Sequence, residues 1–224
     1  MRKLLLVLIG LAFIFGSCKK SSSDPVTATI DFLPLNVGTF WNYLSTTTTT
    51  TTTTSNFTLT VTNKDTTINA KTYKVLSNSA GANNYWTKVT NDYYRYGSVA
   101  GATFIGNVEE LYLKDNLAAN GTWTSSIPVT YNSIPLTITA SYKIVATGQA
   151  KTVGSNSFTD VTQVHVDFST SYLPFIPLTT LGGGDFYYAK GVGLVSQTIS
   201  IAANTSLAIA ASTVKWDLQT YSIK

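Results

Sequence analysis

Apolar residues recur at every second position through much of this chain, and that spacing leaves few choices of fold. Leu136, Ile138, Tyr142 and Ile144 fall on one side of an extended backbone, and Thr137, Thr139, Ser141 and Lys143 fall on the other. Val164, Val166 and Phe168 oppose Gln163, His165 and Asp167 in the same way, and Val214, Trp216 and Leu218 oppose Lys215, Asp217 and Gln219. A period of two marks strands with one wet and one buried face. From Ile30 onward the chain is rich in Thr, Tyr, Val and Ile, which suit strands. Turn-forming stretches fall between the runs: AGANN at 80–84, TGQ at 147–149, VGSN at 153–156, LGGGD at 181–185 and AANT at 202–205. The pattern predicts one all-β domain over 32–224, built as a single antiparallel meander.

The first 20 residues, MRKLLLVLIGLAFIFGSCKK, carry a different message. Arg2 and Lys3 precede an apolar run from Leu4 to Phe15, and the small residues Gly16 and Ser17 follow. This is the plan of a secretory signal peptide over 1–17, too short to span a bilayer, which takes about 20 apolar residues. Cys18, the only cysteine, stands directly after it. The arrangement resembles the lipobox of bacterial lipoproteins, in which that cysteine is acylated and becomes the new N-terminus; the alternative is a chance cysteine beside an ordinary cleavage site. Phe15 stands where the commonest lipobox has leucine. Residues 18–31 then read as a lipid-anchored tether, each buried acyl methylene contributing about 0.8 kcal/mol to membrane attachment.

Acylation of Cys18 leaves no thiol for a disulfide, so the domain depends on its core alone. Losing residues 1–17 removes Arg2 and Lys3 and lowers the formal charge from +4 to +2. The remaining basic residues are scattered rather than striped, which argues against nucleic acid as a partner.

Nine consecutive threonines, Thr46 to Thr54, lie between a run in which Trp41 and Tyr43 share a face and one in which Phe57, Leu59 and Val61 do. A homopolymer cannot set strand register, because a one-residue slip exchanges identical side chains. The tract is therefore expected at the exposed end of a hairpin, frayed at its tip; a glycosylated stalk is the rival reading.

Catalytic equipment is sparse. His165 is the single histidine and shares a polar strand face with Asp167, which reads as a solvated pair. Glu109 and Glu110 are adjacent, so in a strand they point to opposite faces and cannot flank one substrate. Gly182, Gly183 and Gly184 read as a flexible loop before Asp185, without the Lys-Ser/Thr and helix that a phosphate cradle needs. Neither metal ligands nor a cofactor motif can be assigned. The chain is expected not to be an enzyme. Tyr85, Trp86, Tyr93, Tyr94 and Tyr96 could form a carbohydrate platform or, more commonly, cross-strand aromatic pairs. Asp65-Thr66-Thr67 fits a bacterial O-glycosylation pattern, with Thr66 as the acceptor.

Five blocks give the chain a wider likeness: FLPLNVGTFWNY at 32–43, LYLKDNLAANGTW at 111–123, SNSFTDVTQV at 155–164, YYAKGVGLVSQ at 187–197 and LQTYSI at 218–223. In order and spacing they resemble a pattern in uncharacterised lipoproteins of Bacteroidota-type bacteria. The likeness implies a curved sheet or half-open barrel, similar to the lipoprotein-carrier fold. It implies a place at the outer membrane, facing the periplasm because Lys19 and Lys20 replace the acidic cluster that marks surface export. It brings no activity with it. Two functions stay open: a binding or scaffold domain for an envelope protein, a glycan or a lipid, or a carrier or sensor with an apolar cavity lined by Trp41, Tyr142, Phe168 and Trp216.

Overall fold

The computed structural model describes residues 31–98, 107–131, 134–172, 176–205 and 209–224. The signal peptide, Cys18 and the tether as far as residue 30 lie outside them. Among the described residues the first six strands are β1 (Phe40–Thr48), β2 (Thr52–Ile68), β3 (Lys71–Asn78), β4 (Gly81–Val89), β5 (Asp92–Gly97) and β6 (Val108–Lys114). The second six are β7 (Thr122–Tyr131), β8 (Ile134–Val153), β9 (Asn156–Tyr172), β10 (Ile176–Ala189), β11 (Gly193–Ile201) and β12 (Ser212–Ser222).

All twelve form one antiparallel sheet in the order β6-β5-β4-β3-β2-β1-β12-β11-β10-β9-β8-β7. Every neighbour is a sequence neighbour except β1 and β12, which pair from Phe40↔Ser222 to Thr48↔Thr213. That pairing bends the meander round on itself into a nearly closed barrel. The two edges left over, β6 and β7, are consecutive in sequence and face each other across one seam. The expected meander and half-open barrel are both present.

Alternation places the core inside. Leu136, Ile138, Tyr142 and Ile144 are buried, while Thr137, Ser141 and Lys143 are exposed. Val164, Val166 and Phe168 are buried too, as are Val214 and Leu218. Trp41 and Tyr43 are fully enclosed, large rings whose buried polar tips each find a partner. The FLPLNVGTFWNY and YYAKGVGLVSQ blocks meet here: Trp41 Nε1 donates to the Val192 carbonyl at 2.6 Å, and the Tyr43 hydroxyl donates to that of Leu194 at 2.7 Å. Gly191 and Gly193, at φ 75° and 103°, give the bend that presents those carbonyls.

Two expected turns are strand instead. LGGGD lies within β10, where Gly182, Gly183 and Gly184 pair with β9 on one side and β11 on the other. A Cβ on Gly184 would lie 2.2 Å from the Thr198 carbonyl oxygen, so the glycines serve close packing of the barrel wall rather than loop freedom. TGQ lies within β8, where the register with β9 shifts between Ala146 and Gln149. That irregularity kinks a continuous strand.

The threonine tract forms the β1–β2 tip, exposed from Thr48 to Thr54, and its pairing holds to the end instead of fraying. Thr46, Thr47 and Thr48 face Thr54, Thr53 and Thr52 on one side and β12 on the other. Register is imposed from below by the pairs Trp41↔Leu59 and Tyr43↔Phe57, whose rings the threonines need only follow.

Candidate functional site

Charge enters the barrel at the seam. In β5 the two-residue period turns Tyr93 and Arg95 inward, and in β6 it turns Glu110 and Tyr112 inward. Arg95 Nε donates to Glu110 Oε2 at 2.7 Å, and the carboxylate is 1% exposed. Its other oxygen accepts from the Tyr142 hydroxyl of β8 at 2.5 Å. Beside this, Trp123 Nε1 of β7 donates to the Leu111 carbonyl at 2.9 Å, and the indole stacks on Tyr142 with ring centres 5.0 Å apart. Side chains thus join the two edges where the backbone ladder stops.

Burial opposes the charge on Arg95, but the adjoining Glu110 carboxylate outweighs it and holds the guanidinium protonated more firmly than an ordinary arginine. Burial, reinforced by Glu110, keeps the Tyr142 hydroxyl neutral. Arg95 Nη2 has no hydrogen-bond partner; the guanidinium lies 5.6 Å from the Phe186 ring and 6.0 Å from that of Tyr112, within reach of weak cation–π attraction. Arg95 lines a small interior pocket of about 10 Å³ with Phe32, Trp86, Tyr112 and Tyr188.

One end of the barrel is closed by the N-terminal segment. Phe32 and Leu33 are buried there, and the Asp31 carbonyl accepts from the Gly191 amide at 2.7 Å. The Asp31 and Asp115 carboxylates share two donors, Lys88 Nζ and the Tyr93 hydroxyl. Lys88 is held protonated above its ordinary range: burial opposes the charge and the two carboxylates prevail. Alongside is a shallow depression of about 330 Å³ in which Lys190 and Asp160 pair at 3.7 Å. Each of these charges has a partner of opposite sign, and their geometry is that of a clasp holding Asp31 to the barrel end.

The residues singled out from sequence lie apart from these clusters. His165 is on the outer face of β9, with Nδ1 3.1 Å from Asp185 and Nε2 3.4 Å from Asp167; Asp185, from the neighbouring strand, is the closer partner. Glu109 and Glu110 do point to opposite faces: Glu109 accepts from Lys71 and Tyr73 outside the barrel. Thr66 is half-buried in β2, beside an exposed Asp65 that pairs with Lys74 at 2.7 Å. Of the five aromatic residues at 85–96, Trp86 and Tyr93 belong to the core, and Tyr85, Tyr94 and Tyr96 are half-buried. Among the described residues Trp41, Tyr142, Phe168 and Trp216 are each packed into the core or against neighbouring rings. Trp41 packs on Trp86, Tyr142 on Trp123, and Trp216 on Phe57 and Tyr43. Among the described residues no group of three or more His, Cys, Asp or Glu side chains is placed to hold a metal ion, and no helix is long and apolar enough to cross a membrane.

Arg95 and Glu110 escaped sequence reasoning although a signal was present. DYYRYG and VEELYLK each put a charged residue at an inward position, and the two charges are opposite and on consecutive strands. The clasp at Asp31 left no such trace, because its members come from four distant places in the chain.

The barrel has a counterpart among solved structures. A provisionally assigned lipoprotein of Parabacteroides distasonis superposes with a TM-score of 0.51 at 16% identity, over 85% of this chain and 99% of the other. The likeness is one of fold. A provisionally assigned exported protein of Bacteroides fragilis, described as having a YmcC-like fold, gives 0.48 at 12% identity over 85% and 100%. No protein-family model matches the chain, and no curated protein matches it.

Proposed function

We propose that this chain is a lipid-anchored protein of the bacterial cell envelope, attached through Cys18, whose barrel binds or scaffolds and performs no catalysis. The observation that carries the reading is a barrel with an apolar side-chain core, held by a clasp at the end where Asp31 enters it. Asp31, the first described residue, is fixed by Lys88, Tyr93 and Gly191, so a tether from Cys18 would hold the barrel by this end and leave its outer wall open to the surroundings. The lipoprotein description of the similar Parabacteroides distasonis fold supports an envelope address.

Carriage of a hydrophobic ligand is the weaker reading. Ligand cavities run to about 300–1,000 Å³, whereas the interior pocket beside Arg95 has about 10 Å³.

Metabolic labelling with an alkyne fatty acid tests the anchor: wild type should incorporate label and sediment with the outer membrane, and Cys18→Ser should do neither. Equal labelling of the two would sink the anchor. Cross-linking in the intact envelope then tests binding, and recovery of the barrel only as an uncross-linked species would count against a scaffold. Stoichiometric uptake of a hydrophobic fluorophore by the folded protein would favour the carrier instead.

A further inference from the structure

On the outer face of the seam, away from the clasp, β6 and β7 border a groove of about 360 Å³. Its walls combine two half-buried rings, Tyr94 and Tyr96, with the amides of Asn69 and Asn107, the Glu109 carboxylate and the exposed Ser126 hydroxyl. We propose that this groove is a binding site for a neutral oligosaccharide. The inference deepens the binding reading given above and rests on it.

The chemistry of the walls fits a sugar on three counts. A pyranose ring has apolar C–H faces, which tyrosine rings cover, and a rim of hydroxyls, which amides and carboxylates bond as donors and acceptors. The volume lies in the range of small-ligand sites.

Glu109 is also held ready. Lys71 Nζ donates to its Oε1 at 2.7 Å, and the Tyr73 hydroxyl and Asn69 Nδ2 donate to its Oε2 at 2.7 and 3.3 Å. A carboxylate offers about four lone-pair sites, so one remains for a ligand hydroxyl. Burial works against the charge, but the Lys71 and Tyr73 bonds overcome it and keep the carboxyl below its usual range, an acceptor at neutral pH. Lys71, 4.5 Å from the centre of the Tyr94 ring, balances that charge. The groove therefore has no net charge of its own with which to select an acidic sugar.

A peptide strand fits the same place poorly. Strand addition needs free edge donors, and Pro128, in the middle of the β7 edge, has no N–H to give. On the β6 edge the Leu111 carbonyl is already engaged by Trp123.

The test is saturation-transfer NMR on full-length protein in detergent, with cellotetraose, chitotetraose, mannotetraose and galactotetraose as probes at millimolar concentration. At least one should receive saturation from the protein. Tyr96→Ala and Ser126→Trp should each weaken it at least tenfold, the second by filling the groove from an exposed position without disturbing the core. Absence of transfer to all four sugars, or undiminished binding by Ser126→Trp, overturns the proposal. Cys18→Ser separates the two readings: it should abolish membrane attachment and leave sugar binding unchanged, and loss of sugar binding in that variant would overturn the groove as the site.

Discussion

Tyr142 and Glu110 sit on opposite sides of the seam, and the tyrosine hydroxyl donates to the carboxylate at 2.5 Å. With Arg95 on the other carboxylate oxygen, this contact stands in for the missing rungs between β6 and β7. Tyr142→Phe should cost about 1.5–3 kcal/mol, the range for a hydrogen bond to a charged group. Glu110→Ala should cost about 3–5 kcal/mol, because Arg95 is left charged and buried without its partner. Replacing both, Arg95→Met with Glu110→Leu, should recover most of that loss. Urea titration of the three variants measures each value, and a Glu110→Ala loss under about 1 kcal/mol would mean the pair is solvated.

Gln197 is fully buried, and neither its amide nitrogen nor its carbonyl oxygen has a partner. An unpaired buried polar group costs about 1–3 kcal/mol. Gln197→Met keeps the shape and removes both atoms, so the melting temperature should rise, by about 2–4 °C for each kcal/mol gained in a chain of this size. A lower melting temperature in scanning calorimetry would show that the amide is bonded in solution.

The threonine tip pairs regularly but buries little. Deleting four of its nine residues shortens β1 and β2 by two rungs each and leaves the same turn, because the sequence on either side of the cut is identical. Exposed changes of this kind stay within about 0.5 kcal/mol, so the melting temperature should move by no more than about 2 °C. A larger fall would reveal that the contacts of Thr47 and Thr48 with β12 matter to closure.

Alkaline pH should unfold the barrel through its tyrosines. Burial raises Tyr43, Tyr112, Tyr142 and Tyr188 above the ordinary value of 10.0. Below pH 10 these groups are neutral in both states and their contribution to stability is fully present. Above it the unfolded chain ionises first, and each tyrosine withdraws roughly 1.4 kcal/mol per pH unit until the pH passes its folded value. Tyrosinate absorbance from these residues should appear together with the loss of sheet circular dichroism. Full titration of the buried set near pH 10 with the sheet intact would contradict their burial.

The sequence showed the strands and their inward faces plainly, since Leu136 to Ile144 and Val164 to Phe168 alternate without interruption. It misled where glycine has two meanings. A Gly-Gly-Gly run suits a loop as well as a wall packed too tightly for a Cβ, and only the neighbouring Thr198 and Val166 carbonyls decide between them. Closure was hidden for another reason: nothing local in FWNYL or KWDLQTY says that β1 and β12 are neighbours. The interior pair was legible in principle, as opposite charges at inward positions, whereas the groove joins Asn69, Glu109 and Ser126 from three strand neighbourhoods that no spacing rule relates.

The placement of the seam has a consequence for how the chain reaches its native state. The barrel's nonlocal ladder, β1 on β12, joins the two ends of the sequence, and Lys224 already touches Asn36 and Thr39. A circular permutant that links Lys224 to Asp31 and opens the backbone between Asp115 and Gly121 would run from β7 through β12 and on through β1 to β6. Each strand would then pair only with the one before or after it, which turns a slow ring closure into a row of hairpins and should speed refolding while the finished barrel stays the same.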